Sequence, residues 1–224
     1  MFAALSQEAG LVPIIEPEVL MDGRHTMAQC EEVTAATLET VFSALFEHRV
    51  ALEQMLLKTG MVLSGKECSE QADVAEVARA TIRCLRRVVP AAVPGIVFLS
   101  GGQSDEEASQ RLNAICSVSD LPWMLSFSFG RALQAPALKV WKGAPDNVAA
   151  AQRALHPRAK CNSFAVHGTY SPEMEQTAPE QSFDSPRTTN LPSGDIGYTV
   201  PHPGALLFGG AVVESRHRPP GAAH

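Results

Sequence analysis

Residues 95–104 read Gly-Ile-Val-Phe-Leu-Ser-Gly-Gly-Gln-Ser, and this stretch decides the fold. Ile96, Val97 and Phe98 are strand formers, so 95–99 is predicted to be a short β-strand. Gly101 and Gly102 end the run. Ser104 and Glu107 then make the Ser-x-x-Glu pattern of a capping box, which predicts a helix opening at Ser104. Strand, glycine turn and capped helix together form one repeating unit. Working outward, the same unit recurs. Upstream, 11–15 is a short apolar run followed by 26–49, where Val33, Thr37, Val41 and Leu45 fall at helical spacing. A second run at 54–57 is followed by 73–89, with Val74, Val77, Ala78, Ile82 and Leu85 on one face. Downstream, 123–129 alternates like a strand and is followed by helical segments at 131–141, interrupted at Pro136, and at 146–155. Residues 1–9 read as the end of a helix stopped at Gly10. Strands alternating with helices imply an α/β fold on a parallel sheet. Right-handed crossovers set successive strands side by side.

Composition bounds the rest. The chain has 224 residues, 45% of them apolar, and a net charge of −6. An acidic balance argues against a nucleic-acid partner, because phosphate backbones are held by basic faces. No apolar run is long enough for a membrane span, and no signal peptide is visible at the N-terminus. The five cysteines, Cys30, Cys68, Cys84, Cys116 and Cys161, include no Cys-x-x-Cys pair. Reduced thiols in a cytoplasmic compartment are the expectation. The domain is expected to span 1–175. Residues 176–224 are rich in Pro, Ser and Gly and are expected to form a mostly disordered tail.

The chemistry collects where the strands end. Glu16 and Glu18 follow the first apolar run. At i and i+2 on a strand they share a face, and two close carboxylates can separate in pKa. They are equally readable as a solvated acidic pair. Lys58 follows Leu56-Leu57 directly. Either it reaches out to water, or it is a desolvated amine able to attack a carbonyl. Gly101 and Gly102 let backbone N–H groups approach an anion, or they simply make a turn. Arg131 follows the fourth strand through Ser126, Ser128 and Gly130. It is a phosphate clamp or a surface arginine.

These residues lie in the stretches LVPIIEPEVLMDG, ALEQMLLKTGMV, GIVFLSGGQSDEEASQRLNAI and FSFGRALQAPALKVWKG. Together, in this order, they resemble class I fructose-bisphosphate aldolase over residues 5–175. The resemblance implies a TIM barrel, of which this chain carries the last four of eight β/α units. It implies that Lys58 forms the Schiff base with a ketose phosphate. Glu16 would move protons during imine formation, and Glu18 would shape the field around the lysine. Ser100, Gly101, Gly102, Ser128, Gly130 and Arg131 would hold the substrate phosphate nearest the ketone. No cofactor or metal is implied, because the protonated imine is the electron sink. The implied partners are sugar phosphates.

Departures from the family pattern qualify these expectations. Lys58-Thr59-Gly60 stands where Lys-Pro-Asn is usual, Phe129 replaces a tyrosine, and the sequence diverges after about Tyr170. An aspartate, two lysines and an arginine that the family places on its first four strands have no counterpart here. Some of these lower the pKa of the nucleophile, so weak aldolase activity is expected of this chain alone. A half barrel is expected to leave two strand edges and an apolar inner face open. Pairing of two copies, or pairing with aldolase subunits, would cover them. The alternative function is a non-catalytic interaction protein that keeps the phosphate site.

Overall fold

A computed structural model describes residues 1–176 and two short strands at 207–208 and 211–212. The chain divides into two compact units, Met1–Ala178 and Pro179–His224. The first runs α1 (Phe2–Glu8), β1 (Ile14–Ile15), α2 (Met27–Glu47), β2 (Leu56–Thr59), α3 (Val74–Val88), β3 (Gly95–Phe98), α4 (Asp105–Cys116), β4 (Met124–Phe127), α5 (Arg131–Trp141) and α6 (Val148–Val166). In the second, β5 (Leu207–Phe208) pairs antiparallel with β6 (Ala211–Val212). The expectation of a disordered tail over 176–224 otherwise falls outside the described residues.

The four main strands form one parallel sheet in the order β1-β2-β3-β4, the α/β arrangement expected. Ile15 pairs with Leu57, Leu57 with Ile96, and Ile96 with Leu125. Residues in register point to one side, so this row and the next one along define the two faces. Leu57, Ile96 and Phe98 are fully buried in the main core, with Leu38, Val77, Leu85, Leu112 and Ile115 from the helices. Each such side chain contributes about 1.5–3 kcal/mol. The opposite face carries Ile14, Leu56, Lys58, Val97, Met124 and Ser126. There Ile14 is 48% and Met124 65% exposed, whereas Val97 and Ser126 are buried. Openness is greatest on the two edge strands and partial on β2, where Leu56 and Lys58 are half-buried; the expected apolar inner face does not extend across β3.

Local signals explain the helix starts. Thr26, Asp73 and Ser104 each accept the backbone N–H three residues on, and Gln29, Glu76 and Glu107 reach back to complete capping boxes. Arg86 and Arg87 in the last turn of α3 suit the negative end of its dipole.

Three boundaries differ from expectation. The first strand is two residues long. Pro13 has no N–H to give and joins the ladder only by accepting from Leu56 at 3.0 Å. Residues Leu52–Gln54 form a 3₁₀ turn, and β2 starts at Leu56 and runs through Lys58 to Thr59. Helix α5 continues through Pro136, and α6 runs through Pro157 to Val166 rather than ending at 155. Beyond Pro157, tertiary packing offsets the lost backbone bond: Arg158, Cys161, Asn162 and Ala165 are buried. The Arg158 guanidinium donates to Ser109 Oγ at 2.6 Å and to the Asp105 carbonyl at 2.7 Å, and pairs with Glu175. Ser109 donates to Asn162 Oδ1 at 2.6 Å, and Tyr170 donates to Glu175 at 2.9 Å. This network ties α6 and the segment after it to α4.

Candidate active site

Strand β2 alternates a buried side chain toward the helices with a half-buried one toward the other face. Leu57 and Thr59 take the helix side, so Lys58 takes the other. Ile15 sits opposite Leu57 in the ladder, so the residue after β1, Glu16, comes alongside Lys58. Lys58 Nζ lies 2.8 Å from Glu16 Oε1. The Lys58 side chain is 20% exposed and that of Glu16 is 45% exposed, so the pair is reachable from solvent. A carboxylate at this distance can take a proton from the amine or return one to a group formed on it. Lys58 therefore does not simply reach out to water.

Glu18 falls elsewhere. β1 ends at Ile15, so Glu16 and Glu18 are not on a common strand. Among the described residues, the ion pairs of Lys58 include Glu16 and not Glu18, which is exposed. Both carboxylates follow the end of β1, and the exposed positions alternate through Ile14, Glu16 and Glu18.

The glycine–arginine cluster lies at the ends of the next two strands. Gly101 and Gly102 have φ of 55° and 83°, in the left-handed region where glycine alone is unstrained. The Arg131 guanidinium reaches over Gly102: a Cβ placed there would stand 3.6 Å from its Nη2. Arg131 opens α5, whose N-cap Gly130 offers no side-chain cap to the first N–H groups of the helix. Among the described residues Arg131 forms no ion pair. Ser100 is buried and accepts from Gln103 N through its carbonyl at 3.0 Å. The Ser128 N–H is spent on the Phe98 carbonyl at 2.8 Å. That leaves its hydroxyl as the group able to meet a ligand. Positive backbone ends, glycines and an uncompensated guanidinium are groups that can hold an anion.

Lys66 belongs to the same neighbourhood and is not singled out by the sequence. Its Nζ stands 2.6 Å from the Gly102 Cβ point. Only the folding of two distant loops brings it there, so no local pattern would have found it. Phe129, where the family usually has tyrosine, is buried with its ring 5.4 Å from that of Phe127. An apolar cleft of about 470 Å³, lined by Phe2, Ile14, Val41 and Leu45, reaches Glu16 from the α1 side but includes neither Lys58 nor Arg131.

Cys84 and Cys116 are poor rival nucleophiles. Burial pushes Cys84 up to about 11 and Cys116 up to about 12, and the thiolate is the reactive form. No group of three or more His, Cys, Asp or Glu placed to hold a metal occurs among the described residues. No helix among them is long and apolar enough to cross a membrane.

The chain is similar to known proteins over most of its length. A family model described as glycolytic fructose-bisphosphate aldolase class-I matches residues 1–187. A probable fructose-bisphosphate aldolase class 1 of Xanthomonas axonopodis pv. citri is 54% identical over 170 residues, 75% of this chain and 51% of the relative. The fructose-bisphosphate aldolase of Dictyostelium discoideum is 49% identical over 182 residues, 81% of this chain and 51% of the relative. Among solved structures, the Plasmodium falciparum aldolase, in complex with TRAP and a small-molecule inhibitor, superposes with a TM-score of 0.74. It is 50% identical and is matched over 76% of this chain and 49% of its own. The chain thus spans about half the length of the relatives it matches.

Proposed function

This chain belongs to the class I fructose-bisphosphate aldolase family, and from that premise we propose that it carries the Schiff-base part of reversible fructose 1,6-bisphosphate cleavage. The Lys58 amine attacks the ketone carbon of a ketose phosphate. A proton passes to the carbinolamine oxygen, water leaves, and a protonated imine forms. The electron pair of the breaking carbon–carbon bond is then drawn toward the iminium nitrogen while the hydroxyl proton on the departing carbon passes to solvent, giving an enamine and releasing an aldehyde. Glu16 is the proton carrier for imine formation. Gly101, Gly102, Arg131 and the Ser128 hydroxyl orient the substrate through its phosphate. No metal enters, because the iminium supplies the electrophile.

The observation that carries this reading is the 2.8 Å contact between Lys58 Nζ and Glu16 Oε1. It sets a nucleophile and a proton carrier together at the strand ends that lead into the anion cradle. The test is release of triose phosphate from fructose 1,6-bisphosphate in the presence of a chelator, for the full chain and for Lys58→Met. Release above the Lys58→Met background, unaffected by the chelator, supports the proposal. Equal rates in the two proteins overturn it.

A further inference from the structure

Two cations converge on one point above Gly102. A Cβ built there would lie 2.6 Å from Lys66 Nζ, 3.2 Å from Lys66 Cε and 3.6 Å from Arg131 Nη2. Like charges this close repel, and the available compensation is small. Lys66 has a single ion-pair contact, with Asp22 at 3.9 Å, and that carboxylate is 79% exposed. Such a pair is weak in water.

The position of Lys66 is nevertheless fixed by its backbone. Its N–H donates to the Met21 carbonyl at 2.8 Å. Flanking it, Gly65 N–H donates to the His25 carbonyl at 2.8 Å and Glu67 N–H to the Gly23 carbonyl at 2.9 Å. Gln71 Nε2 holds the Gly65 and Cys68 carbonyls at 2.9 and 3.0 Å. The loop after β2 is thereby laced to the loop after β1, and Lys66 is aimed across to the loop after β3. Gly65 makes this possible: a Cβ there would stand 2.3 Å from the Gly23 carbonyl oxygen.

We propose that Lys66 is a substrate-binding residue that closes the phosphate cradle of Gly101, Gly102 and Arg131 from the β2 side. Lysine gives the phosphate a movable point charge opposite the planar arginine fork. Two cations plus backbone N–H groups suit a dianion better than a monoanion. This inference rests on the reading of the cradle as a phosphate site, and its test separates the two.

Inorganic phosphate binding is measured by titration calorimetry on the full chain and on four variants, with circular dichroism confirming the fold of each. Lys66→Gln is expected to weaken binding ~10-fold, the loss of a charge-assisted contact. Lys66→Arg, which keeps the charge, is expected to stay within ~3-fold. Lys139→Gln makes the same change in net charge outside the cradle and is expected to bind like the unaltered chain. Arg131→Gln is expected to lose most binding. If Arg131→Gln loses binding and Lys66→Gln does not, the role of Lys66 is refuted while the cradle stands. If Lys139→Gln and Lys66→Gln weaken binding equally, the effect is general charge and the inference fails. If the chain binds no phosphate, or binds it equally after Arg131→Gln, the cradle reading fails and Lys66 with it.

Discussion

Replacing Arg158 by Met tests how the second half of the fold is held. The Arg158 side chain is 6% exposed, and that of its partner Glu175 is 14% exposed. The substitution removes the donors to Ser109 Oγ and the Asp105 carbonyl. It also leaves the Glu175 carboxylate with the neutral donors Tyr170 and Cys161 in place of the guanidinium. Breaking a buried ion pair from one side costs ~3–5 kcal/mol, because the surviving charge stays desolvated. That is a large share of the ~5–15 kcal/mol that holds a domain together. With a urea m value of ~2 kcal/mol/M, the unfolding midpoint should fall by about 1.5–2.5 M. The double variant Arg158→Met/Glu175→Gln removes the stranded charge and should recover part of the loss. Arg24→Ala gives the comparison. Arg24 pairs with Glu67 at the surface, where the two side chains are 84% and 64% exposed, and its loss should cost at most ~1 kcal/mol. Urea unfolding followed by circular dichroism measures all three. An Arg158→Met cost no larger than that of Arg24→Ala would refute the reasoning.

Three further outcomes follow from particular contacts. Gly65→Ala would force the loops after β1 and β2 apart, since its Cβ would meet the Gly23 carbonyl at 2.3 Å; a loss of ~1–3 kcal/mol in urea unfolding is expected. Alkylation by iodoacetamide at pH 8, read by peptide mass spectrometry, should be slow at Cys84, which is buried, and at Cys116, which is half-buried, because desolvation pushes their thiols up to about 11 and about 12; alkylation of either as fast as that of free cysteine would refute this. The Glu107 carboxyl is held below its ordinary range chiefly because it accepts the Ser104 backbone N–H. Its contribution is therefore present above the unfolded pKa of ~4.3 and lost as pH falls through the lower folded value; Glu107→Gln should flatten the acid limb of stability below about pH 4.3 in urea unfolding.

What the sequence could disclose was what is local. The strand at 95–99 and the capping box at Ser104 are set by neighbours within four residues, and both appear in the structure. The alternation of strands and helices was legible for the same reason, and it specified the parallel order. The boxes at Thr26 and Asp73 obey the same local rule and were readable too. What was hidden depends on distant partners. The last helix was expected to span 146–155, yet α6 continues through Pro157 because Arg158 and Asn162 find buried partners on α4. Lys58 was expected at the end of its strand, and the strand runs one residue further because pairing with β3 extends β2 to Thr59. Lys66 carries no sequence signal at all; its place over Gly102 comes from backbone bonds between loops some forty residues apart.

The central claim is that Lys58 is the amine that makes the imine. The most direct measurement is reduction with borohydride in the presence of dihydroxyacetone phosphate, followed by mass mapping of the modified lysine. A reduced adduct on the peptide that carries Lys58, suppressed by inorganic phosphate and absent from Lys58→Met, is the predicted result. An adduct distributed over other lysines, or one of equal yield in Lys58→Met, would contradict it.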